Sequence, residues 1–177
     1  MTTYLTSGVY DAWDALTRLM SETSWPTIAE NPDGVAVWFG DPTLEVNDEA
    51  DITASTERVV VVSAVDASQQ EYGPVGQLAR NEEFNCLIVV ISAVPGRTAA
   101  DVKDRLRDLT STIENRIREV LLDGRSGVVL DEFQGYQVAR VSVREVNPIC
   151  VPGPNGSIGR AEVVIGCEFR VGTPPVG

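Results

Sequence analysis

The stretch FNCLIVVISAV, from Phe84 to Val94, decides how this chain can fold. Apolar side chains fill both alternating sets of positions in it, which is typical of a central strand covered on both faces of a sheet. Pro95 and Gly96 follow directly and predict the end of the strand. The remaining elements are expected to arrange themselves around this strand.

A long amphipathic helix is predicted after the central strand, from Thr98 to about Leu122. Thr98 and Asp101 resemble a capping box in which Asp replaces the usual Glu or Gln. Asp123-Gly124 is typical of a helix C-terminus. Apolar residues at helical spacing predict one buried face. They are Val102, Leu106, Leu109, Ile113, Ile117, Val120 and Leu121. The arginines expected on the solvated remainder are Arg105, Arg107, Arg116 and Arg118.

Two alternating strands close the chain, YQVARVSVREV over Tyr136–Val146 and RAEVVIGCEFRV over Arg160–Val171. In each strand the apolar residues occupy one set of positions and charged residues the other, which predicts one core face and one polar face. Opposite charges on the polar face could pair across the strands.

The first third of the chain predicts one helix and two strands. Apolar residues at helical spacing, among them Trp13, indicate a helix over residues 8–22. Short strands are expected in GVAVWFGDP, at 34–42, and in ERVVVVSAV, at 57–65. The whole pattern predicts an α+β fold: a mixed, mostly antiparallel sheet of about five strands packed against two helices.

Three long loops are predicted within a single domain that spans residues 1–177. The loop at about 41–57 is acidic, and we expect it to be solvated. The loops at about 66–83 and 148–159 are rich in polar residues, Gly and Pro. Connections of this length are usually functional or mobile in a compact domain, and a hairpin or arm that touches a neighbour is one use.

Composition narrows the possible functions. The chain of 177 residues has no histidine, which excludes Ser-His and Cys-His nucleophile systems. Three cysteines without paired spacing indicate buried small side chains rather than a disulfide framework. The N-terminus lacks the pattern of a secretory signal, and no apolar run is long enough to span a membrane. We therefore expect no enzyme activity, no cofactor, no metal and no membrane association.

The net charge of −12 is unevenly placed along the chain. Residues 1–57 hold eleven acids and one base, Arg18, whereas residues 58–177 are nearly neutral. Direct binding of phosphate groups needs clustered Lys and Arg, and this excess of acids disfavours it. An acidic surface could instead let nucleic acid slide past without sticking.

The order of these elements resembles the tail terminator proteins of long-tailed bacteriophages, particularly those that infect actinobacteria. The resemblance covers about residues 8–171 and rests on the order and lengths of the parts. After the first helix come GVAVWFGDP, ERVVVVSAVD, RNEEFNCLIVVISAVPG, the Arg-rich helix and GRAEVVIGCEFRV. The acidic loop at 41–57 departs from this pattern, so the roles of the loops stay open.

The resemblance implies a structural role in the virion. Tail terminators form a homohexameric ring on the finished tail tube, stop the addition of tube subunits, and meet the head-completion or stopper proteins. DNA passes through the ring without specific binding. The implied place is the head-proximal end of the tail, after synthesis in the host cytoplasm. Another head–tail joining protein, such as a connector stopper or a tube-like subunit, is the alternative, and a small enzyme or ligand-binding domain is a weaker one.

A ring requires contacts between subunits, and we expect them on and beside the long loops. A neighbouring subunit could also cover part of the central strand, because its presumed neighbours are polar on one face. The residues predicted to make these contacts are Tyr72, Leu78, Arg80, Glu82, Glu83, Arg140 and Arg144.

Overall fold

The computed structural model of the protein describes residues 8–40, 55–72, 79–121, 138–153 and 155–171. This part of the chain contains two helices and five strands, which confirms the predicted α+β class. The helices are α1 (Gly8–Ser21) and α2 (Ala99–Leu121). The strands are β1 (Ala36–Phe39), β2 (Thr56–Tyr72), β3 (Ala79–Pro95), β4 (Val138–Gly153) and β5 (Gly156–Val171). The single-domain assignment stays a prediction.

The five strands form one mixed sheet in the order β1-β2-β3-β5-β4. Only β1 and β2 pair in parallel, and every other neighbouring pair is antiparallel. The central strand is β3, as predicted from its apolar residues. β1 and β4 are the two edge strands of the sheet.

Both helices pack on the same face of the sheet, which we call the helix side. The buried stripe of α2 and the buried residues of α1 meet alternate strand residues such as Val61, Ile88 and Ile165. The rings of Phe84 and Phe169 stack there with their centroids 5.4 Å apart. Alternation along the strands therefore sends one set of side chains into this core and the other set to the opposite face.

The N-terminus of α2 has the predicted capping box. The backbone N–H of Thr98 donates to Asp101 Oδ2 over 3.1 Å, and the backbone N–H of Asp101 donates to Thr98 Oγ1 over 3.3 Å. These bonds satisfy donors that a helix start otherwise leaves unpaired. The cap fixes where the helix leaves the end of β3.

The predicted loop at 66–83 is wrong at both ends. β2 continues to Tyr72 and β3 begins at Ala79, and the two strands pair along this whole length. Register shifts after Val62 interrupt the apolar alternation of β2. Pairing with β3 makes up for the weak strand propensity of the polar residues, which is why composition alone indicated a loop. Residues 73–78 lie outside the described residues.

The predicted loop at 148–159 is also wrong. Residues up to Gly153 belong to β4, and β5 begins at Gly156, so most of the predicted loop is paired strand. Gly156 has a φ of 142°, and a Cβ there would come within 3.0 Å of the backbone of Val94 and Gly96.

Of the acidic loop at 41–57, residues 41–54 lie outside the described residues, whereas Thr56 and Glu57 begin β2.

Candidate assembly surfaces

The face of the sheet opposite the helix side, here called the open face, carries a second apolar cluster. Val60, Val89 and Ile91 are buried there, and Val62 and Leu87 pack against them. Neither described helix lies on this face, because the buried residues of both helices belong to the main core. The prediction that β3 is apolar on both faces is therefore confirmed.

A group of charged side chains lies on the open face at the end of the sheet that holds Tyr72. Arg144 Nη2 donates to Glu83 Oε1 over 2.7 Å and lies 3.6 Å from Glu168 Oε1. Arg140 is exposed and stands opposite Glu168 in the β4–β5 register. The structure thus brings together three of the predicted contact residues, Glu83, Arg140 and Arg144, and confirms that opposite charges pair across strands.

The other predicted contact residues have different outcomes. Glu82 is buried on the helix side, because neighbouring residues of a strand face opposite ways, so it is not on the protomer surface. Tyr72 and Arg80 belong to the paired β2–β3 hairpin. Leu78 lies outside the described residues. A role of Tyr72, Arg80 and Leu78 in subunit contacts stays a prediction.

Large apolar side chains are exposed at both edges of the sheet. On β1, Trp38 is 43% and Phe39 71% exposed, and on β4, Ile149 is 57% and Val151 49% exposed. The guanidinium of Arg58 lies over the Trp38 ring, 4.5 Å from its centroid, in a cation–π contact. Trp38 projects to the open face and Phe39 to the helix side, because their ladder partners Val60 and Val61 lie on those faces. Both edges of the sheet therefore expose large apolar side chains, on β1 one on each face.

The sequence did not predict an ion pair that is buried on the helix side. Glu57 of β2 and Arg105 of α2 form two parallel hydrogen bonds, from Arg105 Nε to Oε1 and from Nη2 to Oε2, both 2.6 Å. Both side chains are almost fully buried. The prediction that Arg105 lies on the solvated face of the helix is therefore wrong. The prediction that Glu57 belongs to a solvated loop is wrong as well.

Further polar groups complete this buried cluster. Asn31 Nδ2 donates to Glu57 Oε2 over 3.0 Å, Ser92 Oγ donates to Oε1 over 3.2 Å, and Arg105 Nη2 also donates to the carbonyl of Pro26. Burial raises the pKa of Glu57, but the hydrogen bonds from Arg105, Asn31 and Ser92 outweigh it and hold the pKa below its ordinary value. The cluster ties α2 to β2, β3 and the segment before β1.

The described residues offer two further observations on site chemistry. No three Cys, Asp or Glu side chains among them come together in a way that could hold a metal ion. Neither described helix combines the length and the apolarity that crossing a membrane requires.

Comparison with known proteins adds no further assignment: no protein-family model matches the chain, and no curated protein matches it.

Proposed function

We propose that this protein forms a ring that caps the tail tube of a long-tailed bacteriophage, ends its elongation and joins the tail to the head-completion complex. The observation that supports the proposal most is the exposure of large apolar side chains at both edges of one sheet. Exposed apolar groups on a protein surface mark contact sites when they lie close together.

Two different patches are what a ring of identical subunits needs. In a head-to-tail ring each subunit uses one surface toward the preceding copy and another toward the following copy. A symmetric dimer needs only one patch that contacts itself. The β1 edge with Trp38 and Phe39 and the β4 edge with Ile149 and Val151 are different surfaces, so this protomer suits the ring.

The charge of the chain suits a ring through which DNA passes. A net charge of −12 repels the phosphate backbone, which lowers the affinity of the ring for DNA. The resemblance of the element order to tail terminators supplies the particular place in the virion. Another head–tail joining protein, a connector stopper or a tube-like subunit, is the second candidate, because it would use the same kind of ring.

Purified protein added to growing tail tubes tests the proposal. We expect electron microscopy to show a ring at one tube end and tube length to stop increasing. Trp38→Ser should abolish capping because it removes the largest apolar side chain at the β1 edge. Ser111→Ala, an exposed position on the outward side of α2, is the matched control and should cap like the unchanged protein.

The proposal fails if the protein neither forms rings nor changes tube length. Binding to the portal side of the head–tail junction, without any effect on tube growth, would favour the second candidate. Circular dichroism of Trp38→Ser checks that the variant still folds.

A further inference from the structure

We propose that β1 is a detachable strand, which covers and uncovers the edge of β2 while the rest of the described fold stays intact. The strand opens between Gly34 and Gly40, and the segment that precedes it stays anchored to the core. This opening is a property of the single protomer and does not depend on the proposed ring.

β1 has few attachments to the rest of the sheet. It pairs with β2 over only four residues, whereas β2 and β3 pair along almost their whole length. Only the side chain of Val37 is half-buried, against the main core. The other three side chains of the strand, those of Ala36, Trp38 and Phe39, are exposed. A segment that buries so little apolar surface opens locally at a lower free energy than the core of the same protein.

The segment before β1 is held by the buried polar cluster. Arg105 donates to the carbonyl of Pro26 over 2.6 Å. Asn31, which is buried, donates to Glu57 over 3.0 Å and to the carbonyl of Gly34 over 2.6 Å. The hydrogen bonds of the cluster therefore reach as far along the chain as Gly34, and β1 begins just after it.

Glycines with positive φ stand on both sides of β1. The φ angle is 79° at Gly34 and 127° at Gly40. A residue without a Cβ can change its φ and ψ at little steric cost. These two positions can therefore take up the rotation that moves the strand away from β2.

The carbonyl of Val61 on β2 keeps a donor when β1 leaves. In the closed state this oxygen accepts from the backbone N–H of Gly40 over 3.2 Å and from the indole N–H of Trp13 over 3.4 Å. Opening breaks the first bond, whereas the second comes from α1, whose side chains pack on the main core. The remaining bond lowers the cost of uncovering this end of the β2 edge, because an unpaired buried carbonyl is expensive.

Opening changes what the sheet presents at this side. The main-chain groups of β2 that pair with β1 lie within Arg58–Val61. An unpaired strand edge can pair with another strand, and a short strand that covers it prevents this. β1 therefore determines when the β2 edge is available for pairing.

Native-state hydrogen exchange, followed for single amides by NMR in increasing urea, tests the opening. The Gly40 amide should be protected at least about 100-fold less than a core amide of β3 such as that of Val90, and urea should change its exchange little. Exchange of the Val90 amide should accelerate steeply with urea, because it requires global unfolding. The matched probe is the Asn31 amide of the anchored segment, which donates to the carbonyl of Ile28 over 3.1 Å. We expect it to be protected at least about tenfold more than the Gly40 amide.

Trp38→Ser tests what holds β1 closed. The substitution removes the ring that lies beneath the Arg58 guanidinium, so the Gly40 amide should exchange about two- to fivefold faster. The Val90 amide should keep its rate. Ser111→Ala, on the outward side of α2, is the control and should alter neither amide.

Three results would overturn the proposal. Equal opening free energies and equal urea dependence for Gly40 and Val90 would show that β1 opens only when the whole protein unfolds. The same acceleration of both amides in Trp38→Ser would show this as well. Exchange of Asn31 together with Gly40 would mean that the anchored segment opens too, so that the hinge does not lie at Gly34.

Discussion

Two ion pairs on opposite faces of the same sheet have nearly the same shortest nitrogen–oxygen distance and very different surroundings. On the helix side, Arg105 contacts Glu57 at 2.6 Å. On the open face, Arg144 contacts Glu83 at 2.7 Å. The first pair is almost fully buried beneath α2, whereas both side chains of the second are in contact with solvent.

This difference shows that burial, and not distance, decides what each pair does. Removing one partner of a buried pair leaves a charge without compensation in a low-dielectric interior. An exposed pair is solvated and screened, so losing it changes stability little. The helix-side pair thus fixes the fold, while the open-face pair contributes little to its stability.

The largest expected effect comes from breaking the buried pair. Arg105→Leu should lower the free energy of unfolding by about 3–5 kcal/mol, because Glu57 keeps a buried charge without its partner. The double variant Glu57→Leu with Arg105→Leu should be less destabilised than either single variant, because no buried charge remains. Urea unfolding followed by circular dichroism measures all three.

The exposed pair of Arg107 with Asp104 on α2 supplies the control for this measurement. Arg107→Leu should change the free energy of unfolding by at most about 1 kcal/mol. Equal destabilisation in Arg105→Leu and Arg107→Leu would contradict the assignment of the buried cluster as a tie between α2 and the sheet.

Two glycines of β5 test how tightly each face of the sheet is packed. A Cβ on Gly159 would collide with Val102 of α2 and come within 2.9 Å of Leu106 Cδ1, in the packed helix side. The three atoms nearest to a Cβ on Gly166 all belong to the side chain of Arg144, which is partly exposed and can move. We expect Gly159→Ala to cost about 1–3 kcal/mol through overpacking, and Gly166→Ala to cost less. Thermal unfolding of the two variants, side by side, checks the order, and the reverse order would contradict it.

The helices of this fold could be predicted from sequence because their signals are local. The capping box at Thr98 and the apolar spacing along α2 act within a few residues of one another. The central strand could be identified for the same reason, since its apolar residues lie on both faces within one short stretch. The extension of β2 to Tyr72 and of β4 to Gly153 could not be predicted, because the polar residues, Gly and Pro of these segments have weak strand propensity and become strand only by pairing with β3 and β5.

The buried cluster and the edge patches depend on tertiary placement. Glu57 shares its strand face with Val59 and Val61, and that spacing was a signal of burial that composition concealed. Arg105 lies beside the apolar stripe of α2, so its position in the sequence predicts a solvent-exposed side chain. Only the fold shows that Glu57 lies opposite it. Trp38 looks like any strand tryptophan, and only the position of β1 at the sheet edge makes it a surface residue.

The smallest expected effect on stability comes from the open face. Arg144→Gln should lower the free energy of unfolding by at most about 1 kcal/mol, because its partners Glu83 and Glu168 stay solvated. High salt should remove most of that difference, since the Debye length falls to about 3 Å at 1 M salt. Urea unfolding at low and high salt measures this, and Arg105→Leu, whose cost does not depend on screening, is the reference. A cost for Arg144→Gln as large as that of Arg105→Leu, and insensitive to salt, would contradict the assignment of the Arg144 pair as exposed and weak.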